Sequence, residues 1–300
     1  MPTMTWPVIG PLDLARTLGP LSRGPADPTI RIAPDRAWWA TRTPDGAATL
    51  ALAVHDGEIH ADAFGPGAER ALVGVPALLA LDRDAPRIPA GHPLVAELER
   101  RHAGIRIART GAVLESLVPA ILEQKVTGLE ARRAWTRLIR VHGEPAPGPV
   151  AFRLRLPPSP STLAALPYYD YHPFGIEQRR ADLIRAIAAR ARWFEAIAEM
   201  PLADGYERLM AVPGIGPWTA AEVGVRALGD DDAVSVGDFH LPNLVAFALA
   251  GEPRGTDARM LELLEPYAGH RARVVRLLET SGIRAPRYGP RLSVRGIEDF

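Results

Sequence analysis

VPGIGPWTAAEVGVRALGDDDAVSVGDFHLPN, residues 212–243, is the stretch on which the reading of this chain turns. Pro213-Gly214-Ile215-Gly216 makes a turn whose glycines permit backbone conformations that other residues resist, positive φ among them. A helix-compatible run follows, and a helix N-terminus presents unpaired N–H groups suited to a phosphate oxygen. After a short acidic loop comes a lone carboxylate, Asp238, within Val-Gly-Asp-Phe-His. The turn would hold an anionic backbone while the helix sets how far away the carboxylate stands. Asp238 also precedes Pro242 and an apolar run, the place of a helix N-cap, and proline is tolerated in a first turn. Capping and chemistry are compatible roles for one carboxylate, and the residues alone leave both open.

Working outward, the chain from about residue 95 reads as helical. Val113, Leu114, Leu117, Val118, Ile121 and Leu122 repeat at helical spacing, with Pro119 expected to bend or shorten that helix. Thr127-Gly128-Leu129-Glu130 is a capping box that starts a new helix, which stops near Gly143. A Pro-rich connection spans 145–160, and helices are expected at 160–166, 178–200, 205–211, 241–249, 258–264 and 270–281. The Arg-rich tail from Gly282 has no clear period. Upstream, 29–33, 37–43, 49–55 and 59–64 read as short strands punctuated by Pro44-Asp45-Gly46 and Asp56-Gly57, which carry hairpin chemistry. A helix is expected over 68–81, and 84–93 reads as a linker. The expected fold is thus α+β, a mostly helical two-subdomain body (95–300) behind a small N-terminal α+β domain (1–94).

Composition narrows the chemistry. The 300 residues contain no cysteine, which excludes disulfides, iron–sulfur clusters and thiolate zinc sites. Eight histidines are scattered without metal-ligand spacing, and no apolar run approaches bilayer length. No basic-then-apolar signal segment opens the chain, so a cytoplasmic, nucleoid-associated location is expected. Net charge is zero, but residues 1–100 carry an excess of three acidic groups and 101–300 an excess of three basic ones. A local basic surface binds nucleic acid whatever the global sum. Lysine occurs once, as Lys125, between the two helices that meet near residue 125.

Hairpin, helix and aspartate in this order and spacing resemble the helix-hairpin-helix, Gly-Pro-rich, Asp-containing superfamily of DNA glycosylases. Ala120-Ile121-Leu122-Glu123-Gln124-Lys125-Val126-Thr127 looks like that family's elbow, and Phe174-Gly175-Ile176-Glu177-Gln178-Arg179-Arg180-Ala181 like its middle turn-and-helix segment. Together with the N-terminal unit they point to the bacterial 3-methyladenine DNA glycosylase II branch. The resemblance implies a helical glycosylase body with Asp238 catalytic. It implies a base pocket including Trp218, Phe239, Glu222 and Gln124. It also implies DNA contact through Lys125, Val212, Gly214, Ile215, Gly216 and Thr219. The implied partner is damaged double-stranded DNA, with the chain a monomer, no membrane, no metal catalyst and no cofactor beyond a monovalent cation allowed at the hairpin.

Two departures from the family matter. The tip of the elbow, which fills the gap left by a flipped base, is usually apolar, and here it is Lys125, whose aliphatic stem and cationic tip suit both a gap and a phosphate. Bifunctional members carry a lysine two residues after the second hairpin glycine, and here that residue is Trp218. An indole cannot form a Schiff base, so a monofunctional hydrolase acting on alkylated purines is the expectation. Glu222 stands where an aromatic residue is common, so an acid there favours cationic or hydrogen-bond-donating bases, or else faces solvent. Excision of deaminated or oxidised bases, and a non-catalytic helix-hairpin-helix DNA-binding role, are the alternatives.

Overall fold

The computed structural model of the chain describes residues 1–83, 87–149 and 152–286. Five strands, β1 (Thr3–Pro7), β2 (Ile30–Ile32), β3 (Arg36–Thr43), β4 (Gly46–His55) and β5 (Glu58–Phe64), form an antiparallel sheet in the order β1-β5-β4-β3-β2. Both hairpins fall at the turn signals. Thr43 pairs with Gly46, and His55 pairs with Glu58 across Asp56 and Gly57. Asp56 and Gly57 both have positive φ (50° and 78°), as a two-residue turn matched to strand twist requires. Strand β1 was not foreseen, because Thr-Met-Thr-Trp-Pro is almost wholly exposed and lacks a buried alternation.

One face of the sheet is covered by α1 (Leu14–Leu18), α2 (Ala68–Val73) and α3 (Val75–Leu78). Leu14, Leu18, Leu72, Val75 and Leu78 pack there onto Leu50, Leu52, Ile59 and small alanines. The single helix expected over 68–81 is broken at Gly74, where Pro76 lacks the N–H needed to continue the ladder.

The helical body follows as α4 (Pro93–Arg101), α5 (Val113–Leu122), α6 (Gly128–His142), α7 (Pro160–Ala165), α8 (Tyr168–Tyr171), α9 (Gln178–Ala189) and α10 (Ala191–Glu195). Then come α11 (Leu202–Met210), α12 (Pro217–Val223), α13 (Leu241–Ala250), α14 (Asp257–Leu264) and α15 (Arg271–Thr280). Helix α5 runs through Pro119 to Leu122, buried along nearly its whole length, so tertiary packing overrides the proline. The capping box opens α6 as expected: Glu130 N donates to Thr127 Oγ1 (3.3 Å) and Thr127 N to Glu130 Oε2 (2.7 Å). The expected helix at 178–200 is instead α9, α10 and a 3₁₀ turn at Ala196–Glu199.

Two separate cores divide the body. Helices α5–α12 share one, built on Leu117, Ile121, Trp135, Ile184, Phe194 and Val223. The other joins α4 to α13–α15 through Leu98, Val245, Met260, Leu264 and Val274. The stretch read as a linker is held firmly where it is described. Ile88 is buried in this second core, and His92 N donates to Tyr267 Oη at 2.6 Å. Residues 84–86 of that stretch, and the Arg-rich tail from residue 287, lie outside the described residues.

Where the sheet meets the body, carboxylates do the joining. Glu115 of α5 accepts from Thr41 Oγ1 (2.9 Å) and from Arg42 N (2.7 Å) at the end of β3. Burial pushes its carboxyl up to about 7, although those two hydrogen bonds oppose the rise and nearby Glu195 adds to it. Glu195 in turn accepts from Val113 N (2.9 Å) and Leu114 N (3.0 Å), satisfying donors that the first turn of α5 would otherwise leave unpaired. Asp238 lies on the segment that passes from the first helical core to the second.

Candidate active site and nucleic-acid interface

Helices α11 and α12 are joined by a tight turn at 211–216. Val212 N donates to Leu209 O (3.2 Å) and Ile215 N to Val212 O (3.0 Å), which closes the turn on itself. Gly214 has φ +98°, and a Cβ there would stand 2.9 Å from Leu183 Cδ2, so both conformation and space demand glycine. Gly216 differs. Its φ of −97° is open to any residue, and a Cβ would meet nothing within 4 Å. What Gly216 leaves clear is the approach to the first turn of α12, whose N–H groups have no partner within the helix. Ile215 is 4% exposed and anchors the turn in the first core, and Val212 packs against the same core.

Thr219 is 2% exposed and its Oγ1 accepts from Gln124 Nε2 at 3.0 Å. Gln124 Nε2 also lies 3.0 Å from Gly214 O. Gln124 therefore rivets the elbow to the hairpin. The side chains of Ile215 and Thr219 are buried and Ile215 N is already bonded to Val212 O, which corrects the expectation of direct DNA contact through these two side chains. A monovalent cation at the turn would compete with Gln124 for the carbonyl of Gly214.

The elbow itself is the 123–127 connection between α5 and α6. Lys125 is exposed at its tip with φ +56°, a left-handed conformation uncommon outside glycine. Arg180, 5% exposed, donates from one guanidinium nitrogen to Leu122 O (2.9 Å) and from the other to Gly175 O (3.3 Å). The 174–181 segment thus grips the C-terminus of α5 from behind. Arg23 pairs with Glu123 at 3.1 Å, tying the same elbow to the N-terminal unit. Neither Arg180 nor Arg23 was picked out as an anchor from sequence. A buried arginine has no pattern of its own in an arginine-rich chain.

Asp238 is held on both oxygens. Its Oδ1 accepts from His240 N (2.7 Å) and Leu241 N (2.8 Å), so it does cap α13. Its Oδ2 accepts from Trp218 Nε1 at 3.0 Å, which no cap requires. The indole of α12 and the carboxylate of the next loop are brought together over twenty residues of chain. Phe239, by contrast, is 74% exposed and stands edge-on to His240 with ring centroids 4.9 Å apart. It is turned outward, so the expectation of Phe239 inside a base pocket is not met in this state.

Glu222 lies one turn along α12 from Trp218, on the same face. Its Oε1 accepts from Ser235 Oγ at 2.6 Å and its Oε2 from Arg226. Burial disfavours the charge, yet Arg226, the Ser235 hydroxyl and Arg23 outweigh it and hold the carboxyl below its ordinary range. Glu222 neither faces solvent nor offers a free oxygen to a base, so the pocket role read for it is replaced by an internal one. Arg226 continues the chain of contacts, donating from Nε to Pro20 O at 3.0 Å. Among the described residues no group of His, Asp and Glu side chains is arranged to hold a metal ion, and no helix is long and apolar enough to cross a membrane.

No protein-family profile matches the chain. Over 168 residues, 55% of its length, it is 30% identical to a Mycobacterium tuberculosis protein named as a probable bifunctional transcriptional activator/DNA repair enzyme AlkA. That match spans 34% of the mycobacterial protein, so the chain covers about a third of this relative's length. Over 176 residues it is 26% identical to the putative DNA-3-methyladenine glycosylase YfjP of Bacillus subtilis, covering 56% of this chain and 60% of that one. In three dimensions it is similar to a 3-methyladenine DNA-glycosylase from Archaeoglobus fulgidus, with a TM-score of 0.74 over 92% of this chain and 97% of the other at 16% identity. That last likeness is one of fold.

Proposed function

This chain has the fold of the helix-hairpin-helix DNA glycosylases and is similar in sequence to proteins of their 3-methyladenine branch, and on that premise we propose that it excises alkylated purines from DNA by hydrolysis. The observation that carries the proposal is the Trp218–Asp238 hydrogen bond. It stands a carboxylate beside the first turn of the hairpin's second helix, where a DNA phosphate would be held.

The chemistry follows from that placement. A base within a duplex is unreachable until it is flipped out of the stack. As the N-glycosidic bond breaks, its electron pair leaves with the base and positive charge develops on the sugar. Asp238, fixed by three donors, stands ready to oppose that charge and to take the proton of the water that adds to the anomeric carbon. An N-alkylated purine already carries positive charge and departs without a strong general acid. Trp218 offers an aromatic surface attractive to such a cation. With an indole at position 218 in place of an amine, strand cleavage through a Schiff base is not expected.

Backbone N–H groups of Gly214 and Gly216 and of the first turn of α12 would hold phosphate, and Lys125 at the elbow tip would enter the duplex. Residues 1–83 are assigned as an accessory α+β unit and the chain from Ile88 onward as the glycosylase body, since the boundary expected at 94/95 would cut α4 and part Ile88 from its core. The enzyme is expected to act as a monomer in the cytoplasm on damaged double-stranded DNA. Incubation with methylated duplex DNA, followed by chromatography of released bases, tests the proposal. Release of 3-methyladenine or 7-methylguanine without strand nicking is the expected result. DNA binding without any base release would reduce the chain to a binding module.

A further inference from the structure

We propose that Glu222 is a positioning residue for Asp238, acting through the hydroxyl of Ser235. The inference rests on the catalytic reading of Asp238 and adds a residue pair to it.

The loop from Gly229 to His240 carries Asp238 between the two helical cores. Its first half has its own anchors. Tyr206 Oη donates to Asp230 Oδ2 at 2.6 Å, Asp231 pairs with Arg83 at 3.1 Å, and Asp232 pairs with Arg271. The second half is held differently. Ser235 is 9% exposed, and its hydroxyl donates to Glu222 Oε1. Its carbonyl accepts from Asp238 N at 3.2 Å. Ser235 is thus bonded to Asp238 through the backbone and to α12 through its side chain. Asp238 in turn is bonded to Trp218 of α12, one turn away from Glu222. Two rungs, Trp218–Asp238 and Glu222–Ser235, therefore fix the loop to one face of one helix. With a single rung the loop ahead of Asp238 would be held to α12 by the indole alone, and the carboxylate, still bonded to His240 N and Leu241 N, would shift with its own loop rather than with the helix.

Glu222 suits this task as a neutral side chain would not. As an ion it is a stronger acceptor for the serine hydroxyl than an amide oxygen. The groups facing it are Arg226, Arg23 and Ser235, while Glu279 adds a like charge toward Glu222 and an opposite one toward Arg226. Arg226 sits in the wide turn Gly224–Leu228, a π-helical segment that closes α12, and such turns recur at functional sites. It neutralises Glu222 and anchors the pair to Pro20 O, so the N-terminal unit backs the catalytic loop.

The test is a double-mutant cycle in the full chain, read as single-turnover base release from methylated duplex DNA, with DNA affinity and thermal denaturation measured beside it. Ser235→Ala is expected to slow excision by roughly tenfold to a hundredfold, the scale on which small misplacements act. DNA affinity should stay near wild type, and Tm should fall by no more than the loss of one charge-assisted hydrogen bond implies. Ser235→Thr, which keeps the hydroxyl, should recover most of the rate. Glu222→Gln should slow excision, and Glu222→Gln with Ser235→Ala should be no slower than the worse single variant. Unchanged excision by Ser235→Ala, or multiplying effects in the double variant, would overturn the inference while leaving the glycosylase reading intact. Rate losses that merely track losses of Tm would overturn it as well. Should the wild-type chain release no base, the functional reading falls and this inference with it.

Discussion

Asp238→Asn tests the proposed chemistry most directly, and the hydrogen bonds around the side chain set what it should cost. Oδ1 faces two backbone donors, His240 N and Leu241 N, and an asparagine oxygen can serve both. The other branch then becomes an NH2 group pointing at Trp218 Nε1, where donor meets donor. Loss of that charge-assisted bond costs about 1.5–3 kcal/mol of stability, less whatever water recovers at this half-buried site. Catalysis should lose more. Removing one group aimed at developing charge costs about 2.7–4 kcal/mol, or roughly a hundredfold to a thousandfold in rate. Single-turnover release of bases from methylated duplex DNA gives the rate, and fluorescence anisotropy on the same duplex gives affinity. Affinity is expected within about threefold of wild type, because phosphate contacts from the hairpin do not involve this carboxylate. A variant excising at near-normal rate would refute the role assigned to Asp238 and leave it as the cap of α13.

Gly214→Ala places a side chain at φ +98° against Leu183 and should cost about 1–3 kcal/mol of stability, with weaker binding to DNA of any sequence. Gly216→Ala, in open space and ordinary φ, should leave Tm unchanged and reveal in affinity alone how closely phosphate approaches. Lys125→Ala should slow excision from duplex far more than from single strands, since unstacking a duplex base costs a few kcal/mol. Lys125→Leu should recover part of that if the stem fills the gap, and equal duplex rates for Ala, Leu and Arg variants would return Lys125 to a surface role. Glu115, with its folded carboxyl raised to about 7, contributes stability present below its ordinary value near 4.5 and lost as pH climbs to about 7. The loss is at most about 3 kcal/mol and is lessened by partial access of water. Urea midpoints of Glu115→Gln should therefore gain on wild type between pH 4.5 and 7, and a flat difference would contradict the assignment.

The turn at 213–216, the capping box at Thr127 and the hairpins at 44–46 and 56–57 were legible because each rests on chemistry within four residues. Strand β1 was not, since an exposed edge strand shows no alternation to read. The split of 178–200 carries no proline or glycine to mark it, whereas the break at Gly74 has a local cause in Pro76 that was passed over. Asp238 was legible through its spacing from the hairpin, yet its bond to Trp218 spans twenty residues and only the fold reveals it. Glu222 is the instructive case. Its place on the face of α12 was right, but a charged side chain one turn from an indole looks the same in sequence whether it lines a pocket or holds a loop. Arg226 and Ser235 decide between these: Arg226 stands at the i,i+4 spacing from Glu222 and was there to be read, whereas the reach from Ser235 back to Glu222 is set by the fold.

The core that joins α4 to α13–α15 has a consequence for how the chain is made. Its two halves are separated by the whole of the α5–α12 unit. On a ribosome, α4 emerges early with no partner for Val95 and Leu98, and waits until the last helices leave the exit tunnel. The hairpin meanwhile can dock on α5 as soon as α12 is synthesised. On the proposed reading the phosphate grip thus becomes available before the carboxylate is secured, because α13, which Asp238 caps, gains its packing surface only with α14 and α15. A chain terminated before Arg271 would carry the hairpin complete and leave α4 and α13 exposing apolar faces, a species for chaperones and proteases rather than for DNA.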